Sequence, residues 1–122
     1  AFGLVSVQID AEGALPQDAC VAAAFLQIIR EASTNATKHA QAHQVHVRLW
    51  QEGTDAGTIA HMTISNDGSP APVSYREGTG IPGMRHVAQD LGGSLEVRPA
   101  PPFTLAVSIP LNSNATDQRR RS

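Results

Sequence analysis

Apolar and polar positions alternate along residues 3–9, where Leu4, Val5, Val7 and Ile9 are separated by Ser6 and Gln8, and this period of two predicts a strand. The period changes to that of a helix from about Ala19 to His39 or Ala40, with Val21, Phe25, Ile28, Ile29, Ala32 and Ala36 on one stripe. Asp18 stands where an N-cap is needed. Alternation returns over residues 44–51 (Val45, Val47 and Leu49 against His46, Arg48 and Trp50) and again over 58–65. The loop between them, with Gly53, Asp55 and Gly57, predicts an antiparallel hairpin. A second helix is expected over residues 81–91, stopped by Gly92 and Gly93. Strands over 94–98 and 103–110 complete the pattern, with Ala100, Pro101 and Pro102 turning between them. Two stretches fall outside any period. Residues 66–82 hold Gly68, Pro70, Pro72, Gly78, Gly80 and Pro82, a long connection of the kind that is usually functional. Residues 112–122 are polar, end in three arginines, and read as a disordered tail.

The order of elements predicts an α+β fold. It is a two-layer α/β sandwich in which helices cover one face of a mixed, mainly antiparallel sheet. A chain of 122 residues suffices for one domain with one core, expected over residues 1–111. A net charge of -2 carries no signature of nucleic-acid binding. The single cysteine, Cys20, excludes an internal disulfide and reads as a small core residue. No apolar run approaches the roughly 20 residues that span a bilayer, and no signal-peptide pattern is present. The first strand begins abruptly. This suggests a domain cut from a longer, cytoplasmic region whose parent could still be membrane-anchored.

Candidate chemistry gathers in three places. On the first helix, Glu31, Asn35 and Lys38 project in one direction, Asn35 about 40° round the axis from Glu31 and Lys38 about 20° to its other side. They stand at the edge of the apolar stripe with His39 close by. Asn66, Asp67 and Gly68 follow a strand, where short polar side chains can hydrogen-bond a ligand edge or simply form an Asx turn. Gly78, Thr79, Gly80, Ile81, Pro82 and Gly83 open the second helix, where close backbone approach and free N–H groups suit an anion. The glycines do not follow a strand, so they are not the dinucleotide-binding pattern. An amide oxygen can ligate magnesium, and a carboxylate can polarise a water or hydroxyl. Together the clusters describe a nucleotide site.

In their order and spacing, EASTNATKHA, SNDGSP and GTGIPGMRHVAQDLGGSLEV resemble the N box and the two glycine boxes of the ATP-binding catalytic domain of two-component sensor histidine kinases. These belong to the GHKL ATPases of the Bergerat fold. Similarity is greatest to the subgroup that pairs with NarL-type response regulators, and it runs over about residues 4–111. The resemblance implies ATP and Mg²⁺ as cofactors, with Asn35 on the metal and Glu31 as the catalytic or water-orienting carboxylate. Lys38 and His39 would face the phosphates. Asn66, Asp67, Gly68 and Thr104 would serve the base and its surroundings. Gly78, Thr79, Gly80, Ile81, Gly83 and Met84 would wrap the phosphates, and residues 69–79 would form a lid.

It also implies transfer of the γ-phosphoryl group to a histidine on a dimerisation segment outside this chain, a response regulator as further partner, and a monomeric isolated domain unable to autophosphorylate. None of the five histidines is followed by an acidic residue, as the phosphoacceptor generally is. The sequence departs from the family in three places. Asn66 stands where an aspartate usually accepts from the adenine amino group, Pro70 replaces a glycine, and Phe103-Thr104 replaces a Gly-Thr pair. These departures keep open a weakly binding nucleotide-sensing or interaction domain. An anti-sigma-factor-type serine kinase of the same fold is a further alternative.

Overall fold

The computed structural model describes residues 6–13, 18–39, 43–68, 80–98 and 102–111, without the side chains of 37–39. The elements run β1 (Ser6–Ala11), α1 (Ala19–His39), β2 (Gln44–Thr54), β3 (Gly57–Asn66), α2 (Ile81–Asp90), β4 (Ser94–Arg98) and β5 (Thr104–Leu111). The strands form one sheet in the order β1-β2-β3-β5-β4. β1 pairs parallel with β2, and every other pairing is antiparallel. This is the mixed two-layer sandwich that the pattern predicts. The expected lid (69–79) and tail (112–122) lie outside the described residues.

α1 begins where Asp18 Oδ1 accepts hydrogen bonds from the N–H groups of Cys20 and Val21, at 2.8 and 3.3 Å. Its stripe of Val21, Ala24, Phe25, Ile28, Ile29, Ala32 and Ala36 is buried. The stripe packs over the centre of the sheet, against β2 and β3, while α2 covers β4 and β5. Strand alternation supplies the facing layer: Val45 and Val47 from β2, Ala60, Met62 and Ile64 from β3, and Leu105, Val107 and Ile109 from β5. Each fully buried valine, isoleucine or methionine side chain of this core contributes about 1.5–3 kcal/mol. The opposite face of the sheet is polar and half-exposed. There the ring of His61 stacks on Trp50 at 5.2 Å, with its nitrogens in hydrogen bonds to Glu52 and Ser108.

Two details differ from expectation. Cys20 is exposed rather than buried, because the first turn of α1 carries it away from the sheet. β1 is exposed along its whole length, Val7 and Ile9 included; it is an edge strand, and α1 packs mainly over β2 and β3. The apolar alternation there marks a strand without marking a buried face.

α2 ends at Gly92 and Gly93, whose N–H groups bond to the Gln89 and Ala88 carbonyls at 2.9 Å each. Gly93 lies directly against β5: a Cβ there would come within 2.2 Å of the Ser108 carbonyl oxygen and 2.7 Å of Ile109 Cγ1. Neither neighbour can withdraw without moving the strand. Gly93→Ala should therefore cost about 1–3 kcal/mol or more, read as a fall in the denaturant midpoint. An unchanged midpoint would contradict this packing.

Candidate functional site

The polar edge of α1 meets the start of α2. A Cβ on Gly80 would lie 3.3 Å from Glu31 Oε2 and 3.4 Å from Asn35 Nδ2, so the backbone of the second glycine cluster passes directly over both side chains. Gly80 is the N-cap of α2 in a left-handed conformation (φ 97°), which glycine adopts freely. No side chain caps the helix, and Pro82 occupies its first turn. The opening N–H groups of α2 thus stand beside a carboxylate and an amide.

Two clefts lie on either side of this meeting point. One, of about 330 Å³ including its open mouth, is lined by Ala32, Asn35 and Ala36 of α1, Val45 of β2, Ile64 and Asn66 of β3, Ile81 and Met84 of α2, and Phe103 and Leu105. Its inner part is narrow, with room for little more than a water molecule, so a ring system entering it must part the side chains. The other, of about 430 Å³, is the groove between the helices, lined by Gln27, Ile28, Glu31, Gly80, Gly83, Met84 and Val87. A mainly apolar slot with Asn35 and Asn66 in its wall thus adjoins a groove edged by Glu31 and glycines. That arrangement suits a ligand with an aromatic end and an anionic end.

The fold brings Glu31, Asn35, Asn66, Gly80, Ile81, Gly83 and Met84 together at these clefts. Gly68 stands beside them, its N–H donating to Asn66 Oδ1 at 2.9 Å. Two expected residues are turned elsewhere. Asp67 points away from the clefts, and its Oδ1 accepts from the N–H groups of His43 and Gln44 at 2.9 and 3.0 Å. The Gln44 and His43 N–H groups hold its carboxyl below the usual value of 3.8. Alternation explains the direction, since Asn66 faces inward and the next residue cannot. Thr104 likewise leaves the lining to its neighbours Phe103 and Leu105, its hydroxyl donating to the Pro102 carbonyl at 2.8 Å. Gly78, Thr79 and the side chains of Lys38 and His39 lie outside the described residues. The apolar walls (Ala32, Ala36, Val45, Ile64 and Phe103) were not singled out as site residues, because in sequence they read as ordinary core.

A metal at the Glu31–Asn35 edge would find hard oxygen donors, which suit Mg²⁺. Among the described residues no group of three or more His, Cys, Asp or Glu is assembled to hold a metal. An ion at this edge would draw the rest of its ligands from phosphate and water.

Residues 20–113 match the model of the histidine kinase-, DNA gyrase B-, and HSP90-like ATPase family, and the chain belongs to that family. Among curated relatives, the signal transduction histidine-protein kinase/phosphatase UhpB of Salmonella typhimurium is 32% identical over 87 residues. That match covers 70% of this chain but only 17% of the relative. Among solved structures, the blue-light activated histidine kinase of Erythrobacter litoralis EL346 superposes with a TM-score of 0.68 at 22% identity, over 93% of this chain and 37% of that one. The ATP binding domain of PrrB from Mycobacterium tuberculosis gives 0.62 at 21% identity, over 87% and 79%. At such identities these two structures speak for the fold.

Two outcomes are expected from this geometry. Gly80→Ala places a side chain in a left-handed conformation hard against Glu31, and should lower stability by about 1–3 kcal/mol, measured by thermal unfolding. Asp67, with its lowered pKa, adds stability that is fully present above about pH 4 and is lost as pH falls through its folded value. Asp67→Ala should therefore lower the melting temperature at neutral pH and narrow the gap to the parent chain below pH 3.8; parallel melting curves at all pH values would refute it.

Proposed function

We propose that this chain is the ATP-binding catalytic module of a sensor histidine kinase. The observation that carries the reading is the meeting of Glu31, Asn35 and Gly80 between an apolar slot and an open groove. In this reading the purine enters the slot beside Asn66, and the phosphates lie along the groove under the first turn of α2. The N–H groups of that turn and its dipole favour their charge. Asn35 would supply an amide oxygen to Mg²⁺, which when bound would neutralise charge developing on the transferring group. Glu31, exposed at the groove, orients or deprotonates the acceptor. Gly78, Thr79, Lys38 and His39 complete the phosphate surroundings.

The γ-phosphoryl group passes to an imidazole nitrogen of a histidine on a dimerisation segment outside these residues. The bond from the γ-phosphorus to the bridging oxygen breaks and ADP leaves. A response regulator then takes the phosphoryl group. Nearly all of this work is positioning and electrostatics, so a small domain with one preformed helix junction suffices.

Titration with ATP and Mg²⁺, followed by calorimetry, tests the reading. Binding should depend on Mg²⁺, and Asn35→Ala should weaken it by about tenfold or more, equivalent to about 1.4 kcal/mol. Label from the γ-phosphate should pass to a histidine-containing dimerisation segment supplied in trans, and Glu31→Gln should slow that transfer more than it weakens binding. Absence of nucleotide binding at millimolar concentration would sink the proposal.

A further inference from the structure

At the end of β3 three strands contribute one residue each to a single row. Val45 of β2 stands opposite Asn66 in the antiparallel register, and on the other side the Asn66 N–H donates to the Phe103 carbonyl at 3.3 Å. All three residues line the apolar slot. The spacing of this row is therefore the spacing of the slot's walls.

A side chain closes the ladder beyond that row. In a continued antiparallel pair, Gln44 and Asp67 would exchange two backbone hydrogen bonds. The Asp67 N–H makes one of them, to the Gln44 carbonyl at 3.2 Å. The chain bends at Asp67 and Gly68, and the other bond is made by the side chain instead. Asp67 Oδ1 accepts from the Gln44 N–H at 3.0 Å and from the His43 N–H at 2.9 Å. The carboxylate thus takes the place of a backbone carbonyl while Gly68 turns back to donate to Asn66 Oδ1. Two of the three bonds that hold the end of β3 to the start of β2 run through Asp67 Oδ1.

We propose that Asp67 is a positioning residue for nucleotide recognition, fixing Val45 and Asn66 as the wall against which the base lies. The inference rests on the reading that the slot takes the base and the groove the phosphates. Asp67 touches neither ligand group. Its loss frees the last pair of β2 and β3 to separate, and a wall that has moved back loses contact with a ring, because dispersion falls steeply with distance. Glu31, Gly80 and Gly83 lie on α1 and at the start of α2, away from this ladder. The effect therefore falls on the base and spares the phosphates.

Calorimetric titration with ATP in the presence of Mg²⁺, and with tripolyphosphate as the probe for the groove alone, tests this at a temperature where each chain is folded. Asp67→Ala should weaken ATP binding about fivefold or more, the loss expected for a hydrogen bond or two, while tripolyphosphate keeps its affinity. Asp67→Asn retains an oxygen acceptor in the same place and should restore most of the ATP affinity. Where the alanine variant does not fold, Asp67→Glu moves the carboxylate by one methylene and should show the same base-selective loss. ATP affinity unmoved by these substitutions, both ligands weakened by the same factor, or no recovery with asparagine would overturn the proposal and leave the nucleotide site intact. Failure of the unmodified chain to bind ATP or tripolyphosphate would overturn the nucleotide reading as well.

Discussion

The apolar stripe of α1, centred on Ile28 and pressed against β2 and β3, decides where every polar group on that helix can go. A helix held along one stripe cannot rotate without lifting Phe25, Ile28 and Ala36 into water. Glu31 and Asn35, at the border of the stripe, are therefore held at the border of the core. Asn35 is half-buried and Glu31 exposed, a gradient across one turn that matches a site running from a dry slot to a wet groove. α2 completes the arrangement from the other side. Its buried Ile81, Met84 and Ala88 seat it on the sheet, and this brings Gly80 over the Glu31–Asn35 edge.

The end of β3 works in the same way at smaller scale. Alternation turns Asn66 inward and Asp67 outward, and each then has one task. Asn66 closes the slot and receives Gly68. Asp67 binds the N–H groups of His43 and Gln44, so that the start of β2 is held against the end of β3. Adjacent short polar residues thus separate into a slot-facing group and a scaffold-facing one through the period of the strand alone. A one-residue slip of this register would exchange the two and break both sets of hydrogen bonds.

Much of the fold was legible in the sequence because its periods are clean. The α1 stripe, the β2–β3 hairpin, the Asp18 cap and the Gly92-Gly93 stop each have a local physical cause, and local causes can be read locally. The edge position of β1 and the exposure of Cys20 were not legible, because period shows which residues share a face and not whether anything covers it. Among site residues, the polar and glycine positions stood out as unusual in their settings. The apolar walls did not, since Ile64 or Phe103 in a binding slot has the same pattern as Ile109 in the core.

By itself the sequence determined the element order, the residues sharing each face, and the grouping of Glu31 and Asn35 on one side of a helix. These follow from backbone geometry, which acts over a few residues. The tertiary structure alone decided that Gly80 comes to rest on that edge, that Asp67 is spent on the β2 backbone, and that Asn66 stands in the wall of the slot with its Oδ1 on the Gly68 N–H. Each depends on a partner distant in the chain or on the direction of a single N–H. Such contacts exist only once the sheet has brought β3, β5 and both helices together.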